Sequence, residues 1–227
     1  MQQFNLDKVK DLQLELTTKC NASCSQCPRN IMGSGVNPYM HITDLSITKL
    51  KEIFNEKICN QLNQVFLCGG YGDPIVYPHL IELVKHLRSK NSNLNILIHT
   101  NGGIRSKEWW FELGKIIGYK GNVAFGIDGL EDTLHLYRQN VKYNKVIENA
   151  KSYIQAGGKA RWSFIVFRHN EHQIEEARKR SKEIGFYEFM PRKTGRFYDQ
   201  INHCLIDDWP VYTSKGEFSH YLNPPEN

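Results

Sequence analysis

The reading of this chain turns on Cys20-Asn21-Ala22-Ser23-Cys24-Ser25-Gln26-Cys27-Pro28, which follows an alternating run at residues 12–17, Leu-Gln-Leu-Glu-Leu-Thr. Strict apolar/polar alternation predicts a first β-strand. Three cysteines spaced C-x3-C-x2-C on one short loop can turn inward around a common centre. Three thiolates leave a four-coordinate centre one ligand short, as a metal site must be if it is to bind a further molecule directly. A cubane 4Fe–4S cluster held in this way has three irons fixed by protein and one free. A structural zinc site is the alternative, although no second C-x2-C or H-x3–5-H pair lies downstream to complete one. Three unrelated cysteines are the other.

Working outward, the chain alternates strand and helix signals. After a Gly-, Pro- and Asn-rich loop at 28–40, Thr43 or Ser46 caps a helix through Leu50, Ile53, Phe54 and Lys57. Strands are predicted at 63–68, 94–99, 122–127, 161–167 and 186–190, the last stopped by Pro191. Between them, helical spacing places helices after Pro78, after Ser106, over 143–156 and over 171–184. Six strand–helix alternations argue for parallel strands with right-handed crossovers. Periodicity alone leaves an open doubly wound sheet and a partial barrel both available. In either, functional loops lie at the C-terminal ends of the strands.

The unusual residue clusters fall at those ends. Strand two runs into Cys68-Gly69-Gly70-Tyr71-Gly72-Asp73-Pro74, whose glycines allow close backbone approach to a ligand, or simply a tight turn. Strand three ends in Thr100-Asn101-Gly102, and strand four in Gly126-Ile127-Asp128-Gly129, followed by Tyr137-Arg138. Asp128 suits an Asx turn, and Arg138 a bidentate pair with a carboxylate. Ser163 faces with Arg161 and Ile165 by alternation on strand five, and Met190 closes strand six.

The cysteine loop after a first strand resembles that of the radical S-adenosylmethionine (radical SAM) superfamily, in particular the core domain of SPASM/twitch-type members. The resemblance implies a partial (β/α)6 TIM-like barrel spanning residues 1–190. It implies a 4Fe–4S cluster on Cys20, Cys24 and Cys27 and S-adenosylmethionine on its free iron, reductively cleaved to a 5′-deoxyadenosyl radical that abstracts hydrogen from a substrate. Further parallels are Gly70, Gly72, Asp73 and Pro74, with Tyr71 between, to the family's G-x-G-E-P. Thr100-Asn101-Gly102 is similar to its T-N-G, and Gly126-Ile127-Asp128-Gly129 with Arg138 to its S-x-D-G and following arginine. The cofactor-binding set implied is Gln26, Gly70, Tyr71, Gly72, Asp73, Asn101, Asp128, Arg138, Ser163 and Met190. Asp73 is expected to receive the methionine ammonium, Arg138 its carboxylate, and Met190 the adenine. Three departures stand out: Gln26 where an aromatic is usual, Asp73 for Glu, and Gly126 for Ser.

Composition fits a single soluble domain: 227 residues, 40% hydrophobic, 23% charged and a net charge of +5. That charge permits an anionic ligand without indicating nucleic acid. The N-terminal residues 1–5 show no signal-peptide pattern and no run is long enough to span a membrane, so a reducing cytoplasm is expected. Six cysteines, Cys20, Cys24, Cys27, Cys59, Cys68 and Cys204, make no disulfide framework. Residues 191–227 read as a C-terminal extension, possibly a truncated accessory domain, covering one end of the barrel without auxiliary-cluster cysteines. The expected partners are an unidentified peptide or small-molecule substrate and an electron donor such as flavodoxin or ferredoxin. Two other classes compete with the enzyme: a binder of the cluster and cofactor without turnover, and a structural zinc domain.

Overall fold

A computed structural model describes residues 6–199 and 203–226. Residues 1–5, read above for a signal sequence, lie outside the described residues. Six strands form one all-parallel sheet in sequence order: β1 (Asp11–Leu14), β2 (Gln64–Leu67), β3 (Asn95–Thr100), β4 (Gly121–Gly126), β5 (Ala160–Val166) and β6 (Glu188–Lys193). β1 and β6 are not paired to each other among the described residues, so the barrel stays open. The helices are α1 (Ile47–Ile53), α2 (Glu56–Gln61), α3 (Leu80–Lys90), α4 (Lys107–Ile117), α5 (Leu134–Tyr137), α6 (Tyr143–Gln155) and α7 (Ile174–Ile184).

Strand alternation separates a helix-covered face from an inner lumen. Ile96, Ile98 and Thr100 of β3 are buried under the helices, while Leu97 and His99 on the other face are half-buried. Leu80, Leu83, Val84 and Leu87 of α3, and Trp110, Leu113 and Ile117 of α4, supply the buried helix stripes. Trp110, Phe125 and Tyr153 meet at ring-centroid distances of 5.0–6.3 Å. Each fully buried aliphatic or aromatic side chain contributes roughly 1.5–3 kcal/mol, so this outer layer holds the strand ends rigid.

Several boundaries differ from the sequence reading. The first helix breaks at Phe54: Asn55 caps a new helix by accepting from Ile58 N (3.1 Å), and Cys59 lies on that second helix. Ser46, not Thr43, caps α1. Residues 171–173 form a 3-10 turn before α7. β6 runs through Pro191, in register with Phe164, to Lys193. An edge strand needs hydrogen bonds on one side only, so a proline is tolerated there. The C-terminal extension adds β7 (Tyr198–Asp199) paired with β8 (Cys204–Leu205), and a hairpin of β9 (Trp209–Tyr212) with β10 (Phe218–Leu222). No helix is long and apolar enough to cross a membrane among the described residues.

Candidate functional site

From the end of β1 the chain enters a long irregular loop pinned at its base. Thr17 donates to Asp44 Oδ1 (2.6 Å), and Lys19 pairs with Asp44 at 2.6 Å. Tight turns follow, Cys27 N to Cys24 O (3.1 Å) and Asn30 N to Cys27 O (2.9 Å). Cys24 is buried, and Cys20 and Cys27 are half-buried. Two donors aim at the Cys20 sulfur: Ala22 N at 3.3 Å and Asn101 Nδ2 at 3.6 Å. Cys27 Sγ lies 3.9 Å from Gly70 O, so the glycine turn borders the loop. Burial pushes the Cys20 thiol up to about 12 and Cys24 to about 11, so metal binding must displace their protons. Among the described residues, no three His, Cys, Asp or Glu side chains converge on a single-ion site.

Gln26, between the last two cysteines, is 5% exposed, and neither Oε1 nor Nε2 has a hydrogen-bond partner. A buried primary amide left wholly unpaired is costly. Ser25 Oγ is orphaned likewise. The backbone carbonyls here are occupied: Arg196 Nη1 donates to Gln26 O (3.1 Å) and Trp209 Nε1 to Ser25 O (3.3 Å). The C-terminal extension thus straps the cysteine loop through these two side-chain donors.

The glycine turn is built by close contacts: a Cβ on Gly72 would overlap Thr17 O, and one on Gly69 would overlap Gly72 O. Its amides at Gly70 and Tyr71 donate to the Glu15 carboxylate (2.8 and 3.3 Å). Glu15 was another residue missed, although the polar beat of Asp11, Gln13 and Glu15 places it on the lumen face. Tyr71 itself is exposed.

Asp73 is buried, and its carboxylate accepts four bonds: Thr100 Oγ1 (2.7 Å) and Ile75 N (3.1 Å) on Oδ1, Asn101 N (2.8 Å) and Asn101 Nδ2 (2.7 Å) on Oδ2. Burial pushes this carboxyl up, and the donors from Asn101, Thr100 and Ile75 pull it back. With every lone-pair direction taken, Asp73 ties the second strand end to the third. Asn101 extends the tie by donating to Asn21 Oδ1 (3.0 Å) in the cysteine loop.

At the fourth strand end Asp128 is fully buried. Its Oδ2 pairs with Arg138 Nε (2.6 Å) and its Oδ1 accepts from Ile165 N (2.6 Å). Asn170 Nδ2 bridges the carbonyls of Asp128 and Ile165, both at 3.0 Å. Ser163 stands in register between Gly126 and Met190, its Oγ buried and unpartnered. The strand ends thus gather Gln26, Gly70, Gly72, Asp73, Asn101, Asp128, Arg138, Ser163 and Met190 around the open end of one sheet. A surface groove of about 820 Å³ lies instead between the outer faces of α4 and α6 among alternating Lys and Glu. It holds none of these groups.

A barrel of six parallel strands with a three-cysteine loop after the first defines a class, and the comparisons place the chain within it. The family model for the radical SAM superfamily matches residues 14–180, so the chain belongs to that superfamily. It is 23% identical over 193 residues to GTP 3′,8-cyclase of Staphylococcus epidermidis, covering 80% of this chain and 54% of that protein. It is 28% identical over 108 residues to the tungsten-containing aldehyde ferredoxin oxidoreductase cofactor-modifying protein of Pyrococcus furiosus, covering 48% and 28%. Streptococcus suis SuiB, solved with precursor peptide SuiA, superposes with TM-score 0.65 at 17% identity over 81% of this chain and 39% of that one. The anSMEcpe structure with bound AdoMet gives TM-score 0.62 at 16% identity, covering 86% and 55%. The chain therefore spans about half, or less, of the proteins it resembles.

Proposed function

We propose that this chain is a radical SAM enzyme whose Cys20, Cys24 and Cys27 hold a 4Fe–4S cluster with S-adenosylmethionine beside it. When bound and reduced, that pair supplies a 5′-deoxyadenosyl radical able to take hydrogen from an unreactive C–H bond. The observation carrying this reading is the wholly unpaired, buried Gln26 amide between two of the cysteines. An amide that offers one donor and one acceptor complements the edge of an adenine base, and it stands where the family has an aromatic. The unpartnered Ser163 hydroxyl is a second polar group on the lumen side.

The chain's own residues would then divide the work. Gly70 and Gly72 let the backbone approach the methionine end, with Tyr71 at the rim. Asp73 and Asn101 brace the turn against the cysteine loop. Asp128 orients Arg138 toward the methionine carboxylate, while Met190 lines the lumen below. The substrate class supported is a peptide or a small molecule, since SuiB was solved with a precursor peptide and the cyclase is named for GTP. A reductive step calls for an electron donor such as flavodoxin or ferredoxin. Residues 191–227 act as a cover on the cysteine loop.

Anaerobic reconstitution tests the proposal. The wild type should bind one cluster and, once reduced, form 5′-deoxyadenosine. Single Cys20→Ala, Cys24→Ala and Cys27→Ala variants should lose the thiolate–iron charge-transfer absorption. A loaded, reduced protein that leaves S-adenosylmethionine intact would instead be a binder without turnover. Zinc in place of iron after anaerobic purification would point to a structural domain.

A further inference from the structure

Most charges around the cysteine loop are accounted for by their neighbours. Lys19 pairs with Asp44 and Arg138 with Asp128, both at 2.6 Å. The carboxylates of Asp73 and Glu15 have no ion pair among the described residues and are held by neutral donors alone. Arg196, which donates to Gln26 O, is exposed, so solvent and salt screen it. Arg29 is different. It is 7% exposed and has no ion pair among the described residues. Its bonds go to neutral oxygens: Nε to Thr18 O (3.0 Å) and Nη1 to Asn30 Oδ1 (3.1 Å). A guanidinium buried without an anion is costly.

The position of Arg29 shows what its charge acts on. Thr18 precedes Cys20 and Asn30 follows Cys27, so the guanidinium bridges the two ends of the loop. Asn30 carries the bridge inward, donating from Nδ2 to Cys24 O (3.1 Å) and from its backbone N to Cys27 O (2.9 Å). On another side of the loop the environment is anionic. Asn101 Nδ2 is shared between Cys20 Sγ (3.6 Å) and the buried Asp73 carboxylate (2.7 Å).

We propose that Arg29 is a positioning residue for the cluster: the buried counter-charge to its thiolates, which raises its reduction potential, and the clamp that closes the loop around it. The proposal rests on the reading that Cys20, Cys24 and Cys27 hold an iron–sulfur cluster. Reduction adds an electron where thiolate charge and Asp73 already stand. A fixed cation in a poorly solvated interior favours the reduced form, and net charge and solvent exposure are among the levers that set such potentials. Arg138 cannot serve equally, because Asp128 offsets its charge.

The test is the midpoint potential of the reconstituted cluster, read from its visible absorption during anaerobic titration with dithionite and redox mediators. It needs neither S-adenosylmethionine nor turnover. Arg29→Gln removes the charge and should make the cluster about tenfold harder to reduce, a fall of about 59 mV for one electron. Arg29→Lys keeps the charge without the fork. It should hold a potential near that of wild type while losing iron faster to a chelator. Asn30→Asp answers the guanidinium with a carboxylate across the existing contact. It should lower the potential as Arg29→Gln does, and it decides the matter if the Gln chain loads poorly. Equal potentials in wild type and the neutralised variants would overturn the proposal. So would an equal fall in Arg29→Lys, because shape and not charge would then be at work. A wild type that took up no iron would remove the cluster reading and this proposal with it. A potential that follows the charge, in a protein that leaves S-adenosylmethionine intact, would remove the enzymatic reading and leave this one standing.

Discussion

Arg138 lays its guanidinium across Gly126, in the volume a side chain at that position would fill: a Cβ built there would overlap Nη2. Two features that looked separate in the sequence, a glycine where the resemblance led us to expect serine and a following arginine, are one arrangement. The arginine cannot simply swing aside, because Asp128, fully buried, holds its Nε at 2.6 Å. Displacing it would leave a buried carboxylate unpaired. Gly126→Ser should therefore destabilise the apo chain by about 1–3 kcal/mol, the range for overpacking. Urea unfolding measures it; a variant as stable as wild type would show that Arg138 has another seat.

Asp73 predicts a different outcome from a pure cofactor ligand. Four donors from two strand ends converge on its carboxylate. Asp73→Ala orphans buried amides and a hydroxyl, and should cost the apo chain about 2–4 kcal/mol. Unchanged apo stability with weakened S-adenosylmethionine binding would return Asp73 to the role of a direct ligand.

How much of this was legible beforehand follows from range. The strands at β3 and β5 were readable because runs such as Asn-Ile-Leu-Ile-His-Thr carry a strong local pattern. The cysteine triplet was readable because its meaning lies in spacing. Gln26 and Gly126 were visible only as departures; what they do depends on partners far along the chain. Arg196 lies 170 residues from Gln26, and Trp209 184 from Ser25. No local pattern marks such donors. β6 outran its expected stop because an edge position, a property of the sheet and not of the strand, forgives Pro191.

Two histidines give a pH prediction. Burial, followed by the charges of Arg192 and Arg161, holds His99 at about 4. Burial, followed by His220, His172 and His135, holds His169 at about 4, its ring stacked on Phe167 at 5.3 Å. Both are depressed bases, so below about 6.5 the unfolded chain takes up protons that the folded chain refuses. Stability is then present above about 6.5 and lost as pH falls toward 4, by roughly 1–3 kcal/mol for the pair once partial exposure is discounted. NMR titration of the two rings checks it: resonances that turn over near the ordinary value would remove both contributions.

The last prediction concerns the strap. Arg196 and Trp209 donate to consecutive carbonyls, those of Gln26 and Ser25, between the second and third cysteines. Tyr212 N donates to Met32 O (2.9 Å) farther along the same loop, and Phe197 is buried against Phe167. The extension thus fixes the backbone that must present Cys24 and Cys27 together with the Gln26 amide. Such a strap acts on the loop before any cluster is present. Arg196→Ala with Trp209→Phe should speed amide hydrogen exchange across residues 24–30 in the apo chain by about tenfold, and reconstituted protein should lose iron faster to a chelator. Cys204 is the control: it is exposed on β8, so Cys204→Ser should change neither exchange nor iron content. Loss of about half the iron on that substitution would reveal a second cluster. Unaltered exchange in the double variant would mean that the cysteine loop holds its shape through Thr17, Asp44 and Asn101 alone, and the extension would be a cover without a mechanical role.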